Sequence, residues 1–165
     1  MALIKASCSE PPRSVNKFGL RDDAGATKAY SVVTDPDNWI AIVVNADRTD
    51  VVFTAIDYCE NFYKPSTKNK ESTCDGMLTK RDKLQLVELK ERNGRDAALS
   101  KGISQLRNTI RLLIDNNDTE VLSYKERKAH VCNRLHPAAT NLAGSNKKFL
   151  KETGFRLGVR ATVIL

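Results

Sequence analysis

Apolar and polar positions fall into a readable pattern only from Trp39 onward. Residues 39–44 and 51–56 are β-branched runs separated by the polar stretch 45–50, which predicts a hairpin. A polar loop over 60–73 follows. Residues 74–79 and 84–90 then flank the charged turn 80–83, which predicts a second hairpin. Beyond Asn93-Gly94, the residues Leu99, Ile103, Leu106, Ile110 and Leu113 recur at helical spacing, with Asp96 as N-cap and Asn116-Asn117 as the end. The polar stretch to Lys128 reads as a loop, and 129–135 as a strand before His136-Pro137. Residues 145–153 read as a short helix closed by Gly154, and 155–165 as a last strand. Residues 1–29 are poorly patterned and allow one short helix at most.

Strands followed by helix, strand, helix and strand indicate an α/β fold, a mixed central β-sheet flanked by helices. The hairpins should pair antiparallel, and the strand after the long helix should return parallel through a crossover. The chain of 165 residues, 41% apolar and 28% charged, suits a single domain over 1–165. Residues 1–30 would be an N-terminal extension and 39–165 the core. This composition excludes a coiled coil, a collagen and a disordered tail.

Charge adds a direction. The net charge of +7 is unevenly spread: residues 1–75 carry net −2 and residues 76–165 net +9. A basic C-terminal half implies a polyanionic partner, most simply nucleic acid, or else a solvated basic surface. The four cysteines, Cys8, Cys59, Cys74 and Cys132, are too far apart in sequence for a zinc knuckle and read as reduced thiols of a cytoplasmic protein. Only four residues precede Lys5, too few for a signal peptide, and no later run approaches a membrane span.

The second hairpin holds the candidate chemistry. Alternation places Val87 and Leu89 on one face and Glu88 and Lys90 on the other. With Thr79 facing Leu84, the register carries Asp75 opposite Glu88, and a one-residue slip would send Asp75 to the far face. Adjacent carboxylates repel unless a cation or proton lies between them, and two such oxygen donors suit Mg²⁺ or Mn²⁺. A metal site of this kind could cleave a phosphodiester, with Lys90 stabilising charge; a structural ion pair is the other reading of the same residues. Glu126-Arg127-Lys128 repeats the Glu-x-Lys string without the apolar alternation that surrounds Glu88.

Asp75 on one strand, Glu88-Leu89-Lys90 on the next and the helix directly after resemble the PD-(D/E)xK phosphodiesterase superfamily, the restriction-endonuclease-like fold. The resemblance spans about residues 51–165. Segments 56–59, 74–76, 87–90 and Gln105-Leu106 look like small uncharacterised bacterial members. It implies metal-dependent cleavage of nucleic acid, with DNA the default substrate. Asp75 and Glu88 would be metal ligands, helped by the Leu89 carbonyl, and Lys90 the catalytic lysine. Gln105 resembles the helix glutamine of several branches; on the wheel it could reach the site or merely border the core. Cys74 stands where a proline often precedes the first aspartate. The extra acidic residue that many members carry does not align, and Asp57 and Glu60 are candidates by proximity only. Because some members bind without cutting, the competing function is a nucleic-acid-binding or protein-interaction module in a bacterial defence or toxin system. A duplex cutter of this size would need a homodimer to reach both strands.

Arg107 and Arg111 fall on the polar side of the long helix, and Lys147, Lys148, Lys151, Arg156 and Arg160 cluster near the C-terminus. Each is a candidate phosphate contact or part of a solvated face. Cys132 and His136 have a spacing seen in zinc sites, although Cys132 alternates as a core residue and His136 ends a strand. His130 has no nucleophile near it in sequence, so a hydrolase triad has no support. Trp39 and Phe53 read as hairpin core, not as base-stacking platforms.

Overall fold

Alternation over residues 84–90 and the short charged turn before them do produce an antiparallel hairpin. In the computed structural model, β5 (Gly76–Lys80) and β6 (Lys83–Lys90) pair with Thr79 opposite Leu84 and Lys80 opposite Lys83. The structure describes residues 4–91, 95–134 and 143–165. The expected turn at Asn93-Gly94 and the His136-Pro137 strand end lie outside the described residues, as do the Asp96 and Asn117 side chains.

After β6 comes α1 (Arg95–Ser123), whose Leu106, Ile110 and Leu113 are fully buried against the sheet. It starts at Arg95, one residue before the expected cap at Asp96, and it runs past Asn116 to Ser123. Asn116 donates its side-chain N–H to the Leu112 carbonyl one turn back, and the buried Val121 anchors the final turn. The chain then enters β7 (Glu126–Asn133), which is parallel to β6 along its whole length, as the crossover rule requires. The expected loop to Lys128 is therefore only a tight turn, and Glu126 lies in a strand. A second crossover through α2 (Ala143–Thr153) leads to β8 (Arg156–Val159), again parallel. Gly154 closes α2 at a φ of 74°, a left-handed conformation that favours glycine.

The first expected hairpin does not form. β3 (Ala41–Val44) and β4 (Val52–Ala55) have the β-branched pattern, but each pairs elsewhere. β4 is antiparallel to β5 and gives a five-stranded sheet of order β4-β5-β6-β7-β8. β3 joins β1 (Lys17–Arg21), β2 (Tyr30–Val32) and β9 (Thr162–Ile164) in a four-stranded sheet of order β2-β1-β3-β9. Asn45, fully buried, donates to the carbonyls of Val15 and Thr49 and so fixes the connection that carries the chain between sheets. The last expected strand is likewise two. The Arg160 N–H bonds the Val131 carbonyl in one sheet, and the next residue's carbonyl accepts from Ile42 in the other; β9 (Thr162–Ile164) then runs parallel to β3.

The fold is mixed α/β, with two β-sheets and flanking helices. Both helices cover one face of the five-stranded sheet, where Leu84, Leu86, Val131 and Phe149 pack with the α1 stripe. The other face is covered by the four-stranded sheet instead of a helix, through Phe18, Leu20, Val43, Val87 and Leu89. Residues 1–30, expected to be an unpatterned extension, thus supply β1, the first residue of β2, and core residues. Ser9 and Arg13 also bridge to Thr54 and Val51 along the outer edge of β4. Among the described residues, no helix is long and apolar enough to cross a membrane.

The reading of four free thiols is corrected. Cys8 and Cys59 form a disulfide, while Cys74 and Cys132 are free and buried. Cysteine spacing could not reveal a pairing across 51 residues that depends on the N-terminal segment packing beside the loop after β4. Closing a loop of that length restricts the unfolded chain by about 4 kcal/mol on the chain-entropy model. Cys59→Ser is expected to lower the urea-unfolding free energy by an amount of that order, and reductant should do the same to the native chain. An unfolding midpoint unchanged by either would show that the bond does not stabilise the fold.

Candidate functional site

Extending the β5–β6 register by one residue sets Asp75 opposite Glu88, as the turn length predicts. Asp75 is 8% exposed and Glu88 2%, an unusual burial for two acids. The Asp75 Oδ2 accepts the Leu89 backbone N–H at 2.6 Å, so the side chain is tied to the neighbouring strand. Glu88 points beneath α1, where a Cβ built at Gly102 would stand 3.4 Å from its Cγ; the absent side chain at Gly102 leaves room for the carboxylate. Val87 and Leu89 face the other way, into the core between the sheets, so Leu89 offers only its backbone to this site.

Lys90 and Gln105 complete the group. The Lys90 Nζ lies 2.5 Å from Glu88 Oε1 and donates to Gln105 Oε1 at 2.9 Å. Gln105 in turn donates to the Thr73 carbonyl at 3.0 Å, so of its two expected positions it takes the one that reaches the site. One turn further along α1, the Thr109 hydroxyl accepts the Cys74 N–H at 2.7 Å while donating to the Gln105 carbonyl. Two side chains of one helix thereby fix the backbone just before Asp75. The second oxygen of Glu88, Oε2, is buried and has no hydrogen-bond partner.

Burial is the main cause of the electrostatics. It pushes Glu88 up to about 7, against the attraction of Lys90. It also raises Asp75 well above the usual carboxylate range, and the charge of Glu88 adds to that shift. The other Glu-x-Lys string behaves oppositely. Glu126 is held below its ordinary value by the hydrogen bond from Lys128, at 2.8 Å, in a half-exposed surface pair.

Two further acids act on this group. Asp57 raises Glu88, and Asp22 raises Asp75; Asp22 is itself raised, first by burial and then by Asp57. Asp57 is also ion-paired to Lys70 at 2.9 Å. Glu60, the other proximity candidate, instead accepts the Lys5 and Asn61 backbone N–H groups. Asp22 follows β1 in a segment with no readable pattern, and only the packing of the second sheet brings it here. Among the described residues, no three His, Cys, Asp or Glu side chains form a metal-binding group.

The expected basic contacts do not converge on the carboxylates. Arg107 is ion-paired to Glu152, and Arg111 to Glu71 and Asp115. Lys148 is 3.8 Å from Glu152, and Lys151 is exposed in the last turn of α2. Lys147 lines a cavity beside β8, on which His130 also opens. In the parallel register His130 shares a face with Val87, opposite to that of Glu88. Cys132 is a buried thiol pushed up to about 12 by burial, which fits a core residue; its zinc partner candidate, His136, lies outside the described residues. Trp39 and Phe53 are buried, as expected of core.

Comparison with protein-family models, with curated proteins and with solved structures finds no match.

The raised carboxylates carry a pH signature. The folded chain retains a proton on Glu88 that the unfolded chain has released, so stability falls as pH rises from the ordinary glutamate range through about 7, then levels off. Glu88→Gln is therefore expected to be more stable than the native chain at pH 8, by about 3 kcal/mol, and to lose less stability between pH 5 and pH 8. Chemical unfolding at the two pH values measures both, and an unaltered pH dependence would contradict the assignment.

Proposed function

We propose that the chain is a metal-dependent phosphodiesterase acting on nucleic acid, with DNA the first substrate to test, built on a restriction-endonuclease-like core. The observation that carries this reading is the buried Asp75–Glu88 pair with Lys90 beside it and Glu88 Oε2 left unpartnered. Burying two acids costs free energy that a structural ion pair with a single lysine does not offset. The succession β5, β6, α1, β7, α2, β8, with β6, β7 and β8 mutually parallel, supports the fold assignment.

Asp75 and Glu88 are the residues that would hold Mg²⁺ or Mn²⁺, and the unpartnered Oε2 fits a cation better than it fits a closed ion pair. Bound there, the ion would polarise the phosphodiester and acidify a water molecule. Lys90 would give up part of its contact with Glu88 and stabilise the negative charge that builds on phosphorus, while Gln105 keeps its ammonium in place. The Leu89 N–H orients the Asp75 carboxylate throughout. Attack on both strands of a duplex would require two copies of the chain.

Purified protein is expected to nick plasmid DNA with Mg²⁺ or Mn²⁺ and to lose at least about 100-fold of that rate in Asp75→Asn and Lys90→Ala. Chelation should abolish cutting in the native chain. A protein that binds DNA equally well with Asp75, Glu88 and Lys90 all replaced, and never cuts, would be a non-catalytic binding module, and the enzymatic reading would fall.

A further inference from the structure

Among the described residues, Tyr58 and Tyr63 are the two aromatic side chains that stand more than half exposed, at 53% and 59%. Both belong to the segment that leaves β4 and returns to β5, and the ends of that segment lie beside the carboxylates. The Asp57 N–H donates to the Cys74 carbonyl, and the Thr73 carbonyl accepts from Gln105, the residue that holds Lys90.

The middle of this polar stretch is a small hairpin. The Glu71 N–H donates to the Phe62 carbonyl and the Lys64 N–H to the Asn69 carbonyl, with Tyr63 bridged to Lys70 between them. Alternation gives the hairpin two faces. Phe62 packs against the core that α1 covers, and Glu71 pairs with Arg111 of that helix, so one face is docked. Tyr63 and Lys70 project from the other, side by side. The Lys70 ammonium lies 4.8 Å from the centre of the Tyr58 ring and 2.9 Å from Asp57 Oδ1. A single lysine thus joins the two exposed rings into one surface.

Tyr58 is anchored on both sides. Its φ is 57°, a left-handed conformation that bulky side chains rarely adopt. The Asp57 carboxylate accepts its N–H at 3.0 Å, and the next residue is Cys59, tied to Cys8. Strain of this kind persists only where the surroundings enforce it, and here they enforce an exposed ring. The acids of the segment are all engaged: Asp57 by Lys70, Glu71 by Arg111, and Glu60 by backbone N–H groups. Lys64 and Lys68, at the hairpin tip, are exposed and make no ion pair among the described residues.

Exposed rings beside uncompensated lysines suit a ligand that brings flat π faces and negative charge together. In a duplex each base face is covered by its neighbour, so an unpaired strand is what presents both. We propose that this hairpin binds single-stranded DNA, with bases stacked on Tyr58 and Tyr63 and phosphates at Lys64 and Lys68, and that the strand it holds is the substrate of the Asp75–Glu88 site. The choice of DNA and the substrate role rest on the phosphodiesterase reading; the stacking surface does not.

Fluorescence anisotropy of a labelled 12-nucleotide oligodeoxythymidylate with the full chain, in chelator, tests the binding, and the same strand annealed to its complement is the comparison. The single strand is expected to bind at least about tenfold more tightly than the duplex. Tyr58→Ala and Tyr63→Ala should each weaken it at least about fivefold and leave the duplex unaffected, whereas Tyr63→Phe, which keeps the ring, should bind as the native chain does. Tyr63 is exposed, so its replacement spares the fold and decides the matter if Tyr58→Ala disturbs its turn. With Mg²⁺ or Mn²⁺ the native chain should cut the single strand, and Tyr63→Ala should raise KM and leave kcat unchanged. Equal affinity for duplex and single strand, or native affinity in Tyr63→Ala, would overturn the proposal; a chain that still cuts plasmid DNA in that case keeps the phosphodiesterase reading. Tyrosine-dependent binding by a chain that cuts neither DNA would uphold the stacking surface and overturn the substrate role together with that reading.

Discussion

Asp75 and Glu88 are placed where water cannot solvate them, and much of the surrounding structure serves to hold them there. Two buried acids side by side are unfavourable on desolvation and on mutual repulsion. The fold offsets part of that cost with fixed donors: the Leu89 N–H on Asp75 and the Lys90 ammonium on Glu88. Those donors are themselves held by α1, through Gln105 on Lys90 and Thr109 on the strand just before Asp75. Leu106, Ile110 and Leu113 fasten the same helix to the sheet, so hydrophobic burial is what keeps the polar group assembled. A charge left unpaired at Glu88 Oε2 then has only a proton or a cation to satisfy it.

The parts of this arrangement that arise from local pattern were legible in the sequence. Alternation over residues 84–90 with a short turn fixes both the faces and the register of one hairpin, and the helical stripe from Leu99 to Leu113 fixes what covers it. Pairing between distant segments was not legible. Residues 39–44 and 51–56 each look like a strand, but alternation says only that a strand has two faces and nothing about its neighbour. The same limit hid Asp22, whose charge raises Asp75 from a segment of the other sheet. It also hid the bond between Cys8 and Cys59. The extent of α1 is not legible because Asn116 satisfies its side chain inside the helix, where asparagine more often ends one.

The positive charge of the C-terminal half divides in the folded molecule. Arg107 and Arg111 are spent on surface acids, whereas Lys147, Arg156 and Arg160 gather around a cavity with a neutral imidazole at its wall. One sheet thus carries two different environments: buried acids under α1, and a pocket at the β8 edge that is lined, among the described residues, by cations and no carboxylate. Net charge alone would merge the two into a single affinity for polyanions.

The passage from Arg160 to the residue after it, where the chain leaves one sheet for the other, has a consequence for the order of assembly. The five-stranded sheet is built from segments that follow one another closely, apart from its edge contacts with the N-terminal segment. The four-stranded sheet must instead wait for β9 to reach β3, at nearly the opposite end of the sequence. Bringing such distant segments together late carries a larger loop-closure cost than the hairpin and its helix. Asp75, Glu88, Lys90 and Gln105 all belong to the first sheet or the helix on it, whereas Asp22 follows β1 of the second, so its charge acts on Asp75 only when the two sheets are packed together.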